Sequence, residues 1–253
     1  MKITFLGTGT SQGIPVIACD CEVCQSVDFH DNRTRSSVHI EADGLSLVID
    51  TGPDFRTQML RERIKKLDAV IYTHAHKDHT AGMDDVRSFN FKQKKDMPIY
   101  GSKAVLEQLK KEFSYVFAED KYPGVPRVKV NEIQNQPFEI EGLNITPIEV
   151  LHYKLPVFGF RLGDFTYITD ANYISEEEKL KIKGSKVLVL NALQKKDHIS
   201  HFTLDEAIAL AQELDVEKTY FTHMSHHMGK YRDVSEELPY RIEFAFDGLS
   251  IQI

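Results

Sequence analysis

The sequence predicts a single α/β domain, on three observations. Its 253 residues are enough for one large core, with two small domains as the alternative. Short apolar runs rich in β-formers alternate with helical patterns. Histidine and aspartate recur where those runs end, and all three cysteines crowd into one loop. The composition, 42% hydrophobic and 27% charged, is that of an ordinary globular protein and gives no reason to expect disorder. A net charge of -7 argues against a general nucleic-acid binder, which needs a basic surface to collect phosphates.

The first strand is expected over Lys2 to Leu6; with its flanking residues it is too short for a signal h-region, and no stretch approaches a membrane span. The loop Gly7 to Pro15 follows. Its glycines lack the spacing of a dinucleotide fingerprint and it runs into proline rather than a helix, so that reading is rejected. Close approach of its backbone to a substrate phosphate stays open, since glycine allows it. Next, Cys19, Cys21 and Cys24 form a C-x-C-x-x-C knuckle in a loop at about 16–27. Three thiols crowded together fit metal binding in a reducing, cytoplasmic compartment better than disulfides. They can share one tetrahedral Zn²⁺, but no fourth ligand is nearby; unpaired thiols would be open to oxidation.

Ser37 to Glu41 and Leu45 to Ile49 read as a hairpin around Asp43-Gly44. Asp50 ends the second strand, placed either to orient a metal ligand from behind or to cap a helix over Phe55 to Arg63. Leu67 to Tyr72 reads as a buried strand that runs into Thr73-His74-Ala75-His76-Lys77-Asp78-His79. His74 and His76, two apart in an extended segment, point the same way and can grip one cation. Asp78 and His79 turn toward a second. A helix is expected over Gly82 to Phe91, a strand at Ile99, and a helix from Ser102 to about Phe113. The aromatic-rich stretch Phe113 to Val130 reads as packing under a long loop, with a lid as the alternative.

Strands over Leu143 to Val150 and Val157 to Leu162 flank His152, a further ligand candidate at a strand end. Phe165 to Thr169 delivers Asp170, a carboxylate that can bridge two cations. Ser175 to Glu178 and Thr203 to Glu206 both have the capping-box pattern. The second opens a helix with Leu204, Ala207, Ile208, Ala211 and Leu214 on one face. Immediately before it, His201 is either a neighbour of the helix start or a proton donor aimed into the site. Thr219 to Thr222 ends in His223-Met224-Ser225-His226-His227, which supplies what the incomplete sets lack. Two strands, Ile242 to Phe246 and Leu249 to Ile253, are expected to close the chain around Asp247-Gly248.

A strand, then H-x-H-x-D-H, then single His, Asp and His residues at strand ends resembles the metallo-β-lactamase superfamily. Phe5 to Pro15, the cysteine knuckle and Thr222-His223-Met224-Ser225-His226 resemble its PhnP branch of cyclic phosphodiesterases. The resemblance covers nearly the whole chain. It implies an αββα sandwich, a dinuclear catalytic site commonly holding Mn²⁺ with Zn²⁺ as the alternative, a separate structural Zn²⁺, and a homodimer. By resemblance His74, His76 and His152 would hold one catalytic metal, Asp78, His79 and His223 the other, and Asp170 would bridge them. Cys19, Cys21, Cys24 and His226 would hold the structural zinc, Asp50 would stand behind the ligands, and His201 would be the general acid. The stretch Asn191 to His201 departs from the family pattern, and His198 is a further candidate for the acid. The implied reaction is hydrolysis of a small cyclic ribose phosphate diester to a monoester by a hydroxide generated between two metals.

Two rivals share parts of this pattern. A tRNA 3′-processing nuclease would have the same metal ligands, against which stand the acidic charge and the absence of a long basic insertion. A non-catalytic accessory protein resembling PqqB would show an incomplete metal set, whereas every position here is filled.

Overall fold

The structure is a computed structural model that describes residues 1–120 and 122–253. Among these residues fourteen strands form two seven-stranded sheets. The first contains β1 (Lys2–Gly7), β2 (Ser37–Ala42), β3 (Leu45–Ile49), β4 (Ala69–Ile71), β5 (Met97–Gly101) and β6 (Val128–Glu132). The second contains β7 (Phe138–Ile140), β8 (Leu143–His152), β9 (Leu155–Leu162), β10 (Phe165–Tyr167), β11 (Val187–Asn191), β12 (Lys218–Thr222) and β13 (Ile242–Phe244). The final strand, β14 (Ser250–Gln252), returns to the first sheet and pairs antiparallel with β1. The two sheets repeat one plan: an antiparallel half, β14-β1-β2-β3 or β7-β8-β9-β10, continues into a parallel half ending at β6 or β13.

Strand alternation explains how the layers stack. In β11, Val187 and Val189 face the core between the sheets, while Leu188 and Leu190 face a core outside the second sheet. In β4, Ala69 and Ile71 point inward and Val70 points to a core outside the first sheet. Strands buried on both faces need apolar residues at every position, which is why they read as unbroken runs. Helices α1 (Phe55–Arg61), α2 (Lys77–Thr80), α3 (Arg87–Gln93), α4 (Lys103–Glu112) and α5 (Ser114–Phe117) follow the first sheet's strands. Phe55, Met59, Phe89, Leu106 and Leu109 among them enter its outer core. Helices α6 (Glu176–Ile182), α7 (Leu204–Leu214) and α8 (Tyr231–Ser235) do the same for the second sheet through Ile182, Leu210 and Val234. The result is the expected αββα sandwich.

Several local expectations change. Gly82 to Phe91 is a 3-10 turn, Met83–Val86, before α3 begins. On α7 the buried face includes Leu210, with Ile208 only partly buried. Thr203 makes a full capping box with Glu206. Ser175 caps α6, but Glu178 does not reciprocate: its carboxylate accepts from Glu149 N and Asn135 instead, tying α6 to β8. The two closing strands do not form a hairpin. Asp247 accepts from the Thr34 backbone and the Thr8 hydroxyl, so the chain crosses from one sheet's edge to the other's. Phe113 and Val116 are buried in the outer core and Phe117 packs against it, whereas Tyr115 and Tyr122 are exposed, so the packing reading holds for only part of the stretch; Lys121 lies outside the described residues.

His39 on β2 is buried, and its Nε2 lies 2.7 Å from Ser46 Oγ, which itself donates to Lys66 O. The ring therefore donates from Nε2, and burial pushes its pKa down to about 4. An unfolded histidine titrates near 6.5, so the unfolded chain takes the extra proton and the contribution is complete only above that pH. Between pH 6.5 and about 4 it should decline by about 3 kcal/mol. Urea midpoints measured across this range should fall less steeply for His39→Gln than for the parent; equal slopes would contradict the assignment.

Candidate metal centre

The candidate ligands converge because each leaves a strand at the same edge of the sandwich. Thr73 to His76 is the extended exit from β4, and His76 precedes α2, whose first turn carries Asp78 and His79. His152 is the last residue of β8. Asp170 follows β10, and His223 follows β12. Asp50, Asp170 and His223 have left-handed backbone, with φ of 65°, 56° and 58°. For side chains other than glycine this conformation costs roughly 1–2 kcal/mol each.

Hydrogen bonds behind the site fix which ring nitrogen faces inward. Asp50 Oδ2 is 2.7 Å from His79 Nδ1 and also accepts from the Thr73 hydroxyl at 2.8 Å. With its proton given to Asp50, Thr73 Oγ1 is left to accept from His74 Nδ1 at 3.0 Å. His152 Nδ1 donates to Ser200 O at 2.9 Å. In His74, His79 and His152 the Nε2 lone pair is therefore the one presented to the site. Asp50 is committed to this network, and the N-cap position of α1 belongs to Asp54, so the capping alternative for Asp50 falls away.

Those lone pairs meet other acceptors. His79 Nε2 is buried without a hydrogen-bond partner, yet lies 3.1 Å from Asp78 Oδ2 and 3.3 Å from Asp170 Oδ1. His74 Nε2 is 3.0 Å from His76 Nδ1 and 3.8 Å from Asp170 Oδ2. His223 Nδ1 is 3.2 Å from Asp170 Oδ1. At His79 and His74 a lone pair is turned toward carboxylate oxygens of Asp78 and Asp170, which repel it unless a cation lies between them, so the donor sets fit divalent metal ions. Donor atoms within 4.8 Å of one another come from His74, His76 and His152 in one group, and from Asp78, His79, Asp170 and His223 in another. Burial pushes His74 well down, lowers His152, and takes His223 to about 3, leaving neutral rings able to ligate. Burial opposes ionisation of Asp170, but the facing imidazoles of His223 and His79 outweigh it and hold the carboxyl well below its usual range; against burial, Asp170, Asp78 and Asp50 in turn hold His79 well above its own, so without a cation in the site positive charge settles on that ring.

The knuckle forms a second donor set. The Sγ atoms of Cys19, Cys21 and Cys24 lie 3.3, 3.4 and 3.5 Å from His226 Nδ1. With Zn–S near 2.3 Å and Zn–N near 2.0 Å, the edges of a tetrahedron are about 3.5 Å, so the four residues fit a zinc ion. A hydrogen bond from Cys24 N takes the Cys21 thiol down to about 6, while burial raises Cys24 to about 11. His227 packs at a tilt against His226 and is not part of the donor set.

Every residue singled out in the sequence is therefore at one of the two clusters. His201 Nε2 lies 3.2 Å from Asp170 Oδ2, and its Nδ1 faces Ser200 and His198 at 3.1 and 3.2 Å. That distance also makes it a donor with His152 and Asp170. Sequence reasoning missed the supporting hydroxyls: Thr73, Ser36 at 3.2 Å from His223 Nδ1, and Thr10 at 3.3 Å from His223 Nε2. The glycine-rich loop was the signal for Thr10, since Gly9 bridges both Arg35 and Met224 and brings that loop against His223.

Residues 46–224 match the β-lactamase superfamily domain. The chain belongs to the metallo-β-lactamase superfamily. A crystal structure described as a new diphosphatase from the PhnP family superposes with a TM-score of 0.93 at 39% identity, covering 100% of this chain and 97% of that one. That likeness places the chain in the superfamily's PhnP-like branch. It is also 37% identical to an octanoyltransferase of Porphyromonas gingivalis over 98% of this chain and 51% of that protein. A ribonuclease Z of Staphylococcus epidermidis is 27% identical over 64% of this chain and 49% of its own length. The chain thus spans about half the length of these two relatives. Among the described residues no helix is long and apolar enough to cross a membrane.

Proposed function

We propose that the chain is a metal-dependent phosphoric diester hydrolase that opens a cyclic ribose phosphate to a monoester. The observation that carries this reading is the carboxylate of Asp170 set among His74, His79, His201 and His223, joining the two inward-facing donor groups. His74, His76 and His152 would hold one catalytic metal, Asp78, His79 and His223 the other, with Asp170 between them; Mn²⁺ is our choice, Zn²⁺ the alternative. Two such cations, when bound, supply positive charge for the phosphate oxygens and acidify the attacking water. Asp50 and Thr73 hold His74 and His79 in the ligating tautomer. His201, buried and aimed at Asp170, gives the proton from Nε2 to the departing alkoxide, worth roughly 10² to 10⁴ in rate. A net charge of -7 supports a small substrate over tRNA, and three free thiols support a cytoplasmic location.

A second reading is hydrolysis of a phosphoric anhydride, favoured by the likeness to the PhnP-family diphosphatase. The octanoyltransferase name belongs to a protein about twice as long, and the site's imidazoles and carboxylates give no reason to carry acyl transfer over. Turnover by Mn²⁺-loaded protein of a 5-phosphoribosyl 1,2-cyclic phosphate, a 2′,3′-cyclic nucleotide, a nucleoside diphosphate ester and a precursor tRNA tests these readings, with Asp78→Ala as control. Rapid opening of a cyclic phosphate, lost in the control, is expected. Cleavage of the anhydride alone would favour the second reading, and cleavage of the tRNA alone would move the protein to the nuclease branch.

The zinc knuckle should also matter to this chemistry. His226 lies three residues after His223, and between them Met224 is hydrogen-bonded to Thr8 and Thr10 and Ser225 to Leu193. Cys21→Ser should lower zinc content by atomic absorption and activity by roughly 10-fold to 100-fold. Full activity in a folded, zinc-free variant would sink the link.

A further inference from the structure

We infer that His198 is a positioning residue for the reaction, fixing His201 in the tautomer and orientation that keep its Nε2 free to carry the transferred proton. The backbone supplies an unambiguous donor. The backbone N–H of Ser200 points to His198 Nδ1 at 3.4 Å, so that nitrogen presents a lone pair and the neutral ring keeps its proton on Nε2. His201 Nδ1 lies 3.2 Å from the same His198 Nδ1. Two lone pairs at that separation would repel, so His201 must be protonated at Nδ1 and donate. The Ser200 hydroxyl, 3.1 Å from His201 Nδ1, is a second acceptor for that proton.

The consequence falls on the other side of the ring. With Nδ1–H committed to His198 and Ser200, Nε2 is the only nitrogen of His201 that can exchange a proton with a substrate, and the Asp170 Oδ2 acceptor 3.2 Å away holds a proton on it until that transfer. In the step proposed above, the P–O bond to the leaving oxygen breaks, its electron pair stays on that oxygen, and the proton moves to it from Nε2. His201 is left neutral with Nδ1–H in place, ready to be reprotonated on the same nitrogen. His198 itself is exposed and is not one of the grouped donors; its hydrogen-bond contact with them is with His201, so its effect must pass through that ring.

The kinetic part of this inference rests on the phosphodiester reading; the tautomer part does not. Long-range ¹⁵N–¹H correlation on the Zn²⁺-loaded full chain reads the tautomer directly. It should show His201 protonated at Nδ1 in the parent, a loss of that single form in His198→Ala, and its return in His198→Asn, whose amide oxygen can accept in place of the ring nitrogen. In turnover, His198→Ala should lower kcat about 10²-fold on a cyclic ribose phosphate with KM unchanged. It should leave bis(4-nitrophenyl) phosphate nearly unaffected, because that phenolate departs without a proton. His198→Asn should recover most of the loss. An unchanged His201 tautomer in His198→Ala, or equal losses on both substrates, would overturn the inference. Failure of the parent protein to hydrolyse either ester would instead refute the phosphodiester reading, with the tautomer measurement still deciding the role of His198.

Discussion

Asp170→Ala is expected to lower phosphodiester turnover by at least about 10³-fold and to strip metal from both halves of the site. The carboxylate reaches His79 and His223 through Oδ1 and His201 and His74 through Oδ2, at 3.2 to 3.8 Å. Removing it leaves the imidazoles of both donor groups around a centre with one negative charge fewer. The metal charge at such a centre contributes several kcal/mol to the transition state, and each 1.36 kcal/mol is a factor of ten. Metal content by atomic absorption should fall in parallel with kcat. Asp170→Asn separates charge from shape: it keeps the volume and should still fail to hold the metals. Normal metal content and turnover in either variant would exclude a bridging role for this residue.

Gly52→Ala should be nearly as damaging, although residue 52 bears no functional group. A Cβ there would stand 2.2 Å from the backbone oxygen of Asp78, a contact that no rotamer change can relieve. The fit is close on the other side as well, since a Cβ on Gly82 would meet Gly52 O at 2.2 Å. Thr51 N bonds to His79 O and Gly82 N to Thr51 O, so the exit from β3 is laced to α2. An alanine must push this short helix, and Asp78 and His79 with it. Overpacking of this kind costs about 3 kcal/mol, which for a chain of this size lowers Tm by about 10 °C. Differential scanning calorimetry with and without Mn²⁺ should show the lower Tm and a reduced metal-induced rise. An unchanged Tm would mean that the loop yields without cost.

The metal loop was legible because its chemistry is local: three imidazoles and a carboxylate fall between His74 and His79 at the end of an apolar run. His152, Asp170 and His223 were legible one step further out, as ionisable residues where strands stop. The sandwich followed from the resemblance rather than from periodicity, which cannot say which sheet an apolar strand joins. β13 and β14 show this limit. They flank a good turn dipeptide, and contacts made far away in the chain, from Thr8, Thr34 and Arg61 to Asp247 and from Phe5 to Gly248 and Leu249, send them to different sheets. Glu178 fits a capping pattern, and its partner across space, Glu149 N on β8, decides otherwise. The hydroxyls of Ser36 and Thr73 carried no signal of their own, since serine and threonine are common everywhere and acquire meaning only once the imidazoles they orient are in place.

The left-handed backbone at Asp50, Asp170 and His223 sets the direction in which this protein drifts under selection. Glycine would relax the backbone at each position, but at Asp50 it would also strip the acceptor from Thr73 and His79, so a library screened for heat resistance alone in metal-free buffer should enrich glycine at 170 and 223 rather than at 50. The same library screened for metal retention should hold Asp170 and His223 against that gain. Disagreement between the two screens would then mark, without any substrate in hand, the positions where the chain maintains its site at the expense of its own stability.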